Sequence, residues 1–177
     1  YKENYTYSKA QAAAIWVCDF FKYSDYKNTN FIFGNTIGND YLTKNYINIK
    51  INNLKSKLSS STNEYCQNFI EKTKDSNFDI IEIHNRPLVF NYLKNKVIAK
   101  FIIYFHNDPL SMNGSRSNEE RLKLLNHVDK IIFVSKWVQD RFFINLDPKL
   151  MNKTEIVCPS IHREKKIFKK DKKITFV

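Results

Sequence analysis

Two polar runs follow apolar segments of the chain and carry side chains that could bind a ligand: His84, Asn85 and Arg86, then His106, Asn107 and Asp108. Imidazole, amide and guanidinium groups form hydrogen bonds that suit sugar hydroxyls or phosphate. His106 could donate to a hydroxyl, and Asp108 could accept a proton. Either histidine could instead be structural and cap its strand. The first run could therefore either support the sheet or bind a ligand. The repeated His-Asn pattern favours a ligand-binding role for the second run.

A carboxylate lies two residues before the first histidine. Glu82 and His84 share strand parity, so both side chains lie on one face of a predicted strand. A charged group in a buried strand needs a partner, and His84 or Arg86 could supply it.

The motifs that would indicate other reactions are missing from the sequence. The spacing of His84, His106 and Asp108 matches no zinc signature, so we expect no bound metal. The sequence contains no G-x-S-x-G elbow, no Walker A loop and no G-x-G-x-x-G run. This pattern argues against a serine hydrolase, a P-loop NTPase and a standard dinucleotide-binding domain.

Alternating apolar and amphipathic segments predict the elements that position these side chains. Strands are predicted at 30–33, 46–51, 78–84, 101–105, 131–134 and 156–158. Helices are predicted from Ser8 to about Tyr23, Thr62 to Asp75, Leu88 to Lys96, Asn118 to His127, and after Ser135. This order predicts an α/β fold, with a parallel sheet that has helices on both faces. Ligands of such sheets bind beyond the carboxyl ends of the strands, where both polar runs are placed.

Ser135 directly follows a predicted strand and could cap the next helix. The free N–H groups at that helix start could contact an anionic group, or Ser135 could be an ordinary N-cap.

The net charge is +11, with much of the excess at 165–173, where a solvated linker is expected. Such a charge suits a phosphorylated substrate or an anionic membrane surface. No arginine-rich or RNP-like motif indicates nucleic acid.

Cys18, Cys66 and Cys158 form no C-x-x-C pair, and Cys18 and Cys158 are expected in the core. These cysteines favour a cytoplasmic location. The sequence has no apolar run long enough to span a membrane, and because it begins with Tyr1 its amino terminus could be incomplete.

Three longer runs resemble the N-terminal half of GT-B glycosyltransferases, most closely the retaining group called family 4: D-I-I-E-I-H-N-R-P (79–87), I-I-Y-F-H-N-D (102–108) and E-R-L-K-L-L-N-H-V-D-K-I-I-F-V-S (120–135). S-K-A-Q (8–11) occupies the place of that group's Gly-Gly-Ala-Glu or Gly-Gly-Ala-Gln. I-V-C-P-S-I (156–161) occupies the place of V-I-P-N-G-I/V. K-I-T-F-V (173–177) resembles the first strand of a second domain. Ser8 and Lys9 replace the two glycines, which departs from the close backbone approach that glycine permits.

The resemblance implies an acceptor-side Rossmann-like domain at 1–164. A linker and the first strand of a C-terminal nucleotide-sugar domain would follow at 165–177. It implies sugar transfer from a nucleotide-sugar donor to an acceptor hydroxyl with retention, without a metal or another cofactor. His106 matches a strand-end histidine that approaches the donor sugar. The other substrate-binding residues expected are Lys9, His84, Asn85, Arg86, Asn107, Asp108 and Ser135.

The resemblance also implies a glycan or lipid-linked acceptor. It suggests work in cell-surface glycan or lipopolysaccharide synthesis, with peripheral contact at the inner face of a membrane. Because the second domain would stabilise the charge on the leaving group, we expect the 177-residue chain alone to be inactive. The alternative is a non-catalytic α/β binding module for an anionic or phosphorylated ligand.

Overall fold

A computed structural model describes residues 3–51 and 60–159 of the chain. The expected domain boundary at 164, and the linker and strand at 165–177, lie outside the described residues.

The described chain is an α/β fold built on parallel strands. Its strands are β1 (Ile32–Gly34), β2 (Tyr46–Asn48), β3 (Ile80–His84), β4 (Lys100–Phe105), β5 (Lys130–Phe133) and β6 (Thr154–Ile156). Its α-helices are α1 (Ala12–Tyr23), α2 (Ser61–Lys72), α3 (Pro87–Leu93), α4 (Asn118–His127) and α5 (Lys136–Phe142). β3, β4, β5 and β6 form a parallel sheet in that order, and β1 pairs with β2 in a second, parallel pair. The predicted fold class is therefore confirmed.

The two central strands explain why this sheet is parallel and buried. β4 and β5 consist almost entirely of β-branched and aromatic residues, and Ile103, Phe105, Ile131 and Phe133 are fully buried. Continuous apolar strands of this kind are stable only when both faces of the sheet are covered. The rings of Phe105 and Phe133 stack at 5.7 Å, and Phe142 of α5 closes over both.

β3 lies at the edge of the four-stranded sheet in the described part of the chain, and this corrects one expectation. Glu82 is exposed rather than enclosed in a buried strand, and half of the surface of Ile80 is exposed. A groove separates β3 from the β1–β2 pair. It is lined by Glu3, Tyr5, Ala13, Ala14 and Val17, by the three residues of β1, by Tyr46, and by residues 84–86.

The first helix begins later than the sequence suggests. Its N-cap is Gln11, whereas Ser8 lies exposed in a turn that is closed by hydrogen bonds from Lys9 and Ala10 to the carbonyl oxygen of Thr6. The prediction that the first helix begins at Ser8 is therefore wrong, because these bonds hold the chain in a turn before the helix.

The last strand also differs from its predicted position at 156–158. β6 is Thr154–Ile156, and a 3₁₀ helix, Pro148–Lys153, precedes it. Its extent follows from pairing with β5, in which Thr154 lies beside Ile131 and Ile156 beside Phe133. Cys158 falls after the strand and is exposed, so the expectation that it is a core residue is wrong, whereas Cys18 is buried as expected.

None of the α-helices in the described ranges has the length and apolar character needed to cross a bilayer.

Candidate functional site

The two strand-end histidines meet at the carboxyl edge of the sheet. Nδ1 of His84 lies 2.9 Å from Nε2 of His106, a hydrogen-bond distance. The register of β3 and β4 causes this approach, because His84 pairs with Tyr104 and His106 lies two residues further along the chain. The two polar runs therefore begin at the ends of adjacent strands.

Aromatic rings surround the imidazole pair. The ring of Tyr104 stacks on His84 at 4.7 Å. Trp16 of α1 packs against His84, Tyr104 and His106, with ring centroids 5.9, 5.5 and 5.0 Å away. We call these four residues the histidine cluster. α1 thus supplies one wall of the site, and the strand ends supply the other.

The cluster keeps its inner histidine uncharged. Burial, and then the neighbouring charge of His84, lower the pKa of His106 to about 3 from an ordinary 6.5. His106 is therefore neutral at physiological pH, with one ring nitrogen as a donor and the other as an acceptor.

Glu82 brings a carboxylate to the same sheet face. Its Oε2 lies 3.6 Å from Nε2 of His84, so the structure places the expected partner beside it. The pKa of Tyr104 is raised well above its usual range, first by burial and then by the charge of Glu82. Glu82 thus lies beside His84 and acts electrostatically on Tyr104.

Asn85 ties the ends of β3 and β4 together. Its φ of 54° places it in the left-handed region, which asparagine tolerates better than most residues. Its buried Oδ1 accepts hydrogen bonds from the backbone N–H groups of His106, at 2.7 Å, and Asn107, at 3.3 Å. The Asn85 side chain thereby positions His106, while its own buried Nδ2 has no hydrogen-bond partner among the described residues.

Arg86 turns back on the chain rather than toward Glu82. Its Nη1 donates to the carbonyl oxygen of Asn85 at 2.7 Å. Its Nε is buried and has no hydrogen-bond partner in the part of the chain that the structure describes. Arg86 and Asn85 both line the groove beside β1, and these two donor atoms are buried behind its surface.

Asp108 is engaged elsewhere. Its Oδ2 accepts from Nη2 of Arg141 at 2.8 Å, and its Oδ1 accepts from the backbone N–H of Leu110. The hydrogen bond from Arg141 is the main cause that lowers the pKa of Asp108. A carboxylate held in this way is a poor proton acceptor, so its role is to join the loop after β4 to α5.

Three other expected site residues make no described contact with the cluster. Asn107 is exposed, and Lys9 lies exposed in the turn before α1. The Ser135 hydroxyl accepts from the backbone N–H of Val138 at 3.3 Å, which makes it an N-cap of α5.

Trp16 falls within the predicted first helix and Tyr104 within the predicted strand at 101–105, and the sequence assigned neither residue to a site. Strand register could have indicated Tyr104, since a parallel partner of His84 must lie near that position of β4. Nothing local indicates Trp16, because its contact depends on how α1 crosses the sheet.

Across residues 3–51 and 60–159, no group of three or more His, Cys, Asp or Glu side chains is arranged to hold a metal ion.

Comparison of the chain with protein-family models, curated proteins and solved structures found no match.

Proposed function

We propose that the chain is the acceptor-side, N-terminal domain of a retaining GT-B-type glycosyltransferase, and that the histidine cluster contacts the sugar. The observation that carries the proposal is the meeting of His84 and His106 at the carboxyl ends of adjacent parallel strands. This is the edge at which open α/β sheets bind ligands.

The composition of the cluster suits a sugar. Binding sites for small molecules combine apolar and aromatic walls with a few polar groups that fix orientation. Trp16 and Tyr104 supply aromatic surface, and His106 supplies a neutral polar group beside them. A sugar ring presents C–H groups and hydroxyls together, so both parts of this wall have a counterpart on it.

In the proposed reaction a sugar passes from a nucleotide to an acceptor hydroxyl, with retention at the anomeric carbon. The acceptor would be a glycan or lipid-linked molecule of the cell envelope, and the basic chain would favour work beside an anionic membrane. The resemblance assigns the nucleotide diphosphate to the second domain. The residues described here therefore serve to orient the sugar and acceptor.

The experiment is a binding titration of the 177-residue chain with nucleotide sugars, followed by saturation-transfer NMR. His106→Ala should weaken binding at least several-fold, since it removes the neutral ring that faces the ligand. His127→Ala is the matched control, because His127 is exposed on α4 and bonds only the Lys123 carbonyl among its described contacts. Equal affinity of the two variants, with both folded, would overturn the sugar-contact proposal. Sustained sugar transfer by the chain alone would contradict the proposal that a second domain is needed to bind the nucleotide diphosphate.

One observation favours the binding-module alternative. Nδ2 of Asn85 and Nε of Arg86 are buried donors without partners in the described residues, and both residues line the groove beside β1. A ligand with acceptor oxygens would suit them, and the net charge of +11 would attract an anion. Binding of inorganic phosphate that is lost in Arg86→Gln but unaffected by His106→Ala would favour this alternative.

A further inference from the structure

Glu82 and the two histidines of the cluster form a row of three interacting groups. Oε2 of Glu82 lies 3.6 Å from Nε2 of His84, and Nδ1 of His84 lies 2.9 Å from Nε2 of His106. Glu82 and His84 share one face of β3 by strand alternation. The carboxylate therefore faces one nitrogen of His84, and His106 faces the other.

A hydrogen bond between two imidazole nitrogens needs one proton between them. When both rings are neutral, that proton belongs either to Nδ1 of His84 or to Nε2 of His106. In the first case His84 has a bare lone pair on Nε2, directed toward a negative carboxylate. In the second case Nε2 of His84 carries its proton and faces Glu82 favourably. A carboxylate beside one ring nitrogen fixes a histidine tautomer in this way.

We propose that Glu82 is a positioning residue that acts through His84 to hold neutral His106 with its proton on Nε2. His106 then offers the lone pair of Nδ1 to a ligand. Nδ1 of His106 makes no hydrogen bond to the residues that the structure describes, and the lowered pKa of His106 keeps the ring neutral.

The consequence for the ligand reverses the expectation from the sequence. His106 accepts a hydrogen bond from a hydroxyl instead of donating one. That the hydroxyl belongs to a sugar rests on the proposed function, whereas the tautomer itself does not.

The test is a long-range proton–nitrogen NMR correlation on the 177-residue chain with isotope-labelled histidine, at a pH where both rings are neutral. Wild type should show His106 mainly as the Nε2–H tautomer. In Glu82→Gln this form should fall to the minor species, because the Gln amide can donate to Nε2 of His84 and the negative charge is lost. Wild-type His106 as the Nδ1–H tautomer would overturn the proposal.

Two further variants test whether Glu82 acts on His106 through His84. Glu155→Gln removes the same charge from the same sheet face, two strands from β4, and should leave the tautomer unchanged. In a His84→Ala background, Glu82→Gln should no longer affect His106. If the tautomer of His106 is unchanged by Glu82→Gln in the wild-type background, or changes equally with Glu155→Gln, Glu82 is not the positioning residue. None of these spectra depends on sugar binding or transfer, so failure of the proposed function would be seen separately.

Discussion

Folding changes the acid–base chemistry of His106. Its pKa falls to about 3 in the folded chain from 6.5, mainly through burial. Between these values the unfolded chain binds a proton that the native chain does not, so the free energy of unfolding should fall as the pH drops from about 6.5 toward 3. His106→Gln removes this titrating group, so its free energy of unfolding should fall less over the same pH range. The difference in slope should not exceed that caused by one bound proton. Urea unfolding of both proteins across this range measures the difference, and parallel pH profiles would contradict the buried neutral imidazole.

Among the residues of the site, the sequence indicated the polar ones that follow apolar runs, and it missed the aromatic ones that lie within apolar elements. His84 and His106 interrupt apolar runs, so their position at strand ends could be inferred. Asn85 was expected to bind a ligand, but its left-handed backbone and its bonds to the turn after β4 give Oδ1 a structural role. That role depends on the neighbouring strand, which no local pattern of residues specifies.

At the scale of the element, local capping explains why one helix was predicted to the residue. α4 begins after Ser117, whose hydroxyl accepts from the Glu120 N–H while the Glu120 carboxylate accepts from the Ser117 N–H. Ser117→Ala should lower the free energy of unfolding by about 1 kcal/mol. Ser8→Ala is the control, because Ser8 precedes α1 without capping it and should cost almost nothing. Thermal denaturation compares the two, and equal losses would mean that the box contributes nothing specific.

β6 shows why other boundaries could not be predicted in this way. Its sequence favours a strand at 156–158, yet the pairing with β5 sets its extent at Thr154–Ile156. The last bond of this pairing runs from the Val157 N–H to the Phe133 carbonyl oxygen. Alternation and β-propensity locate a strand, whereas its ends depend on partners distant in the chain.

For the whole molecule, the sequence predicted a parallel α/β sheet but not its division into a four-stranded sheet and a separate pair. The division has a consequence for backbone protection. The N–H of Asn85 bonds the Tyr104 carbonyl and the N–H of Lys100 bonds the Asp79 carbonyl, so the odd-numbered residues of β3 face β4. The N–H groups of Ile80, Glu82 and His84 point to the opposite edge, where no described strand pairs with them.

Amide hydrogen exchange should reveal this alternation directly. The amides of Glu82 and His84 should exchange much faster than those of Ile81 and Ile83, because only the latter two are bonded to β4. β4 is the internal control, since it pairs with β3 on one side and β5 on the other, and successive amides such as Ile102 and Ile103 should be protected alike. Equal protection along β3 in the 177-residue chain would show that its outer edge is covered in solution. The groove beside β1 would then be closed.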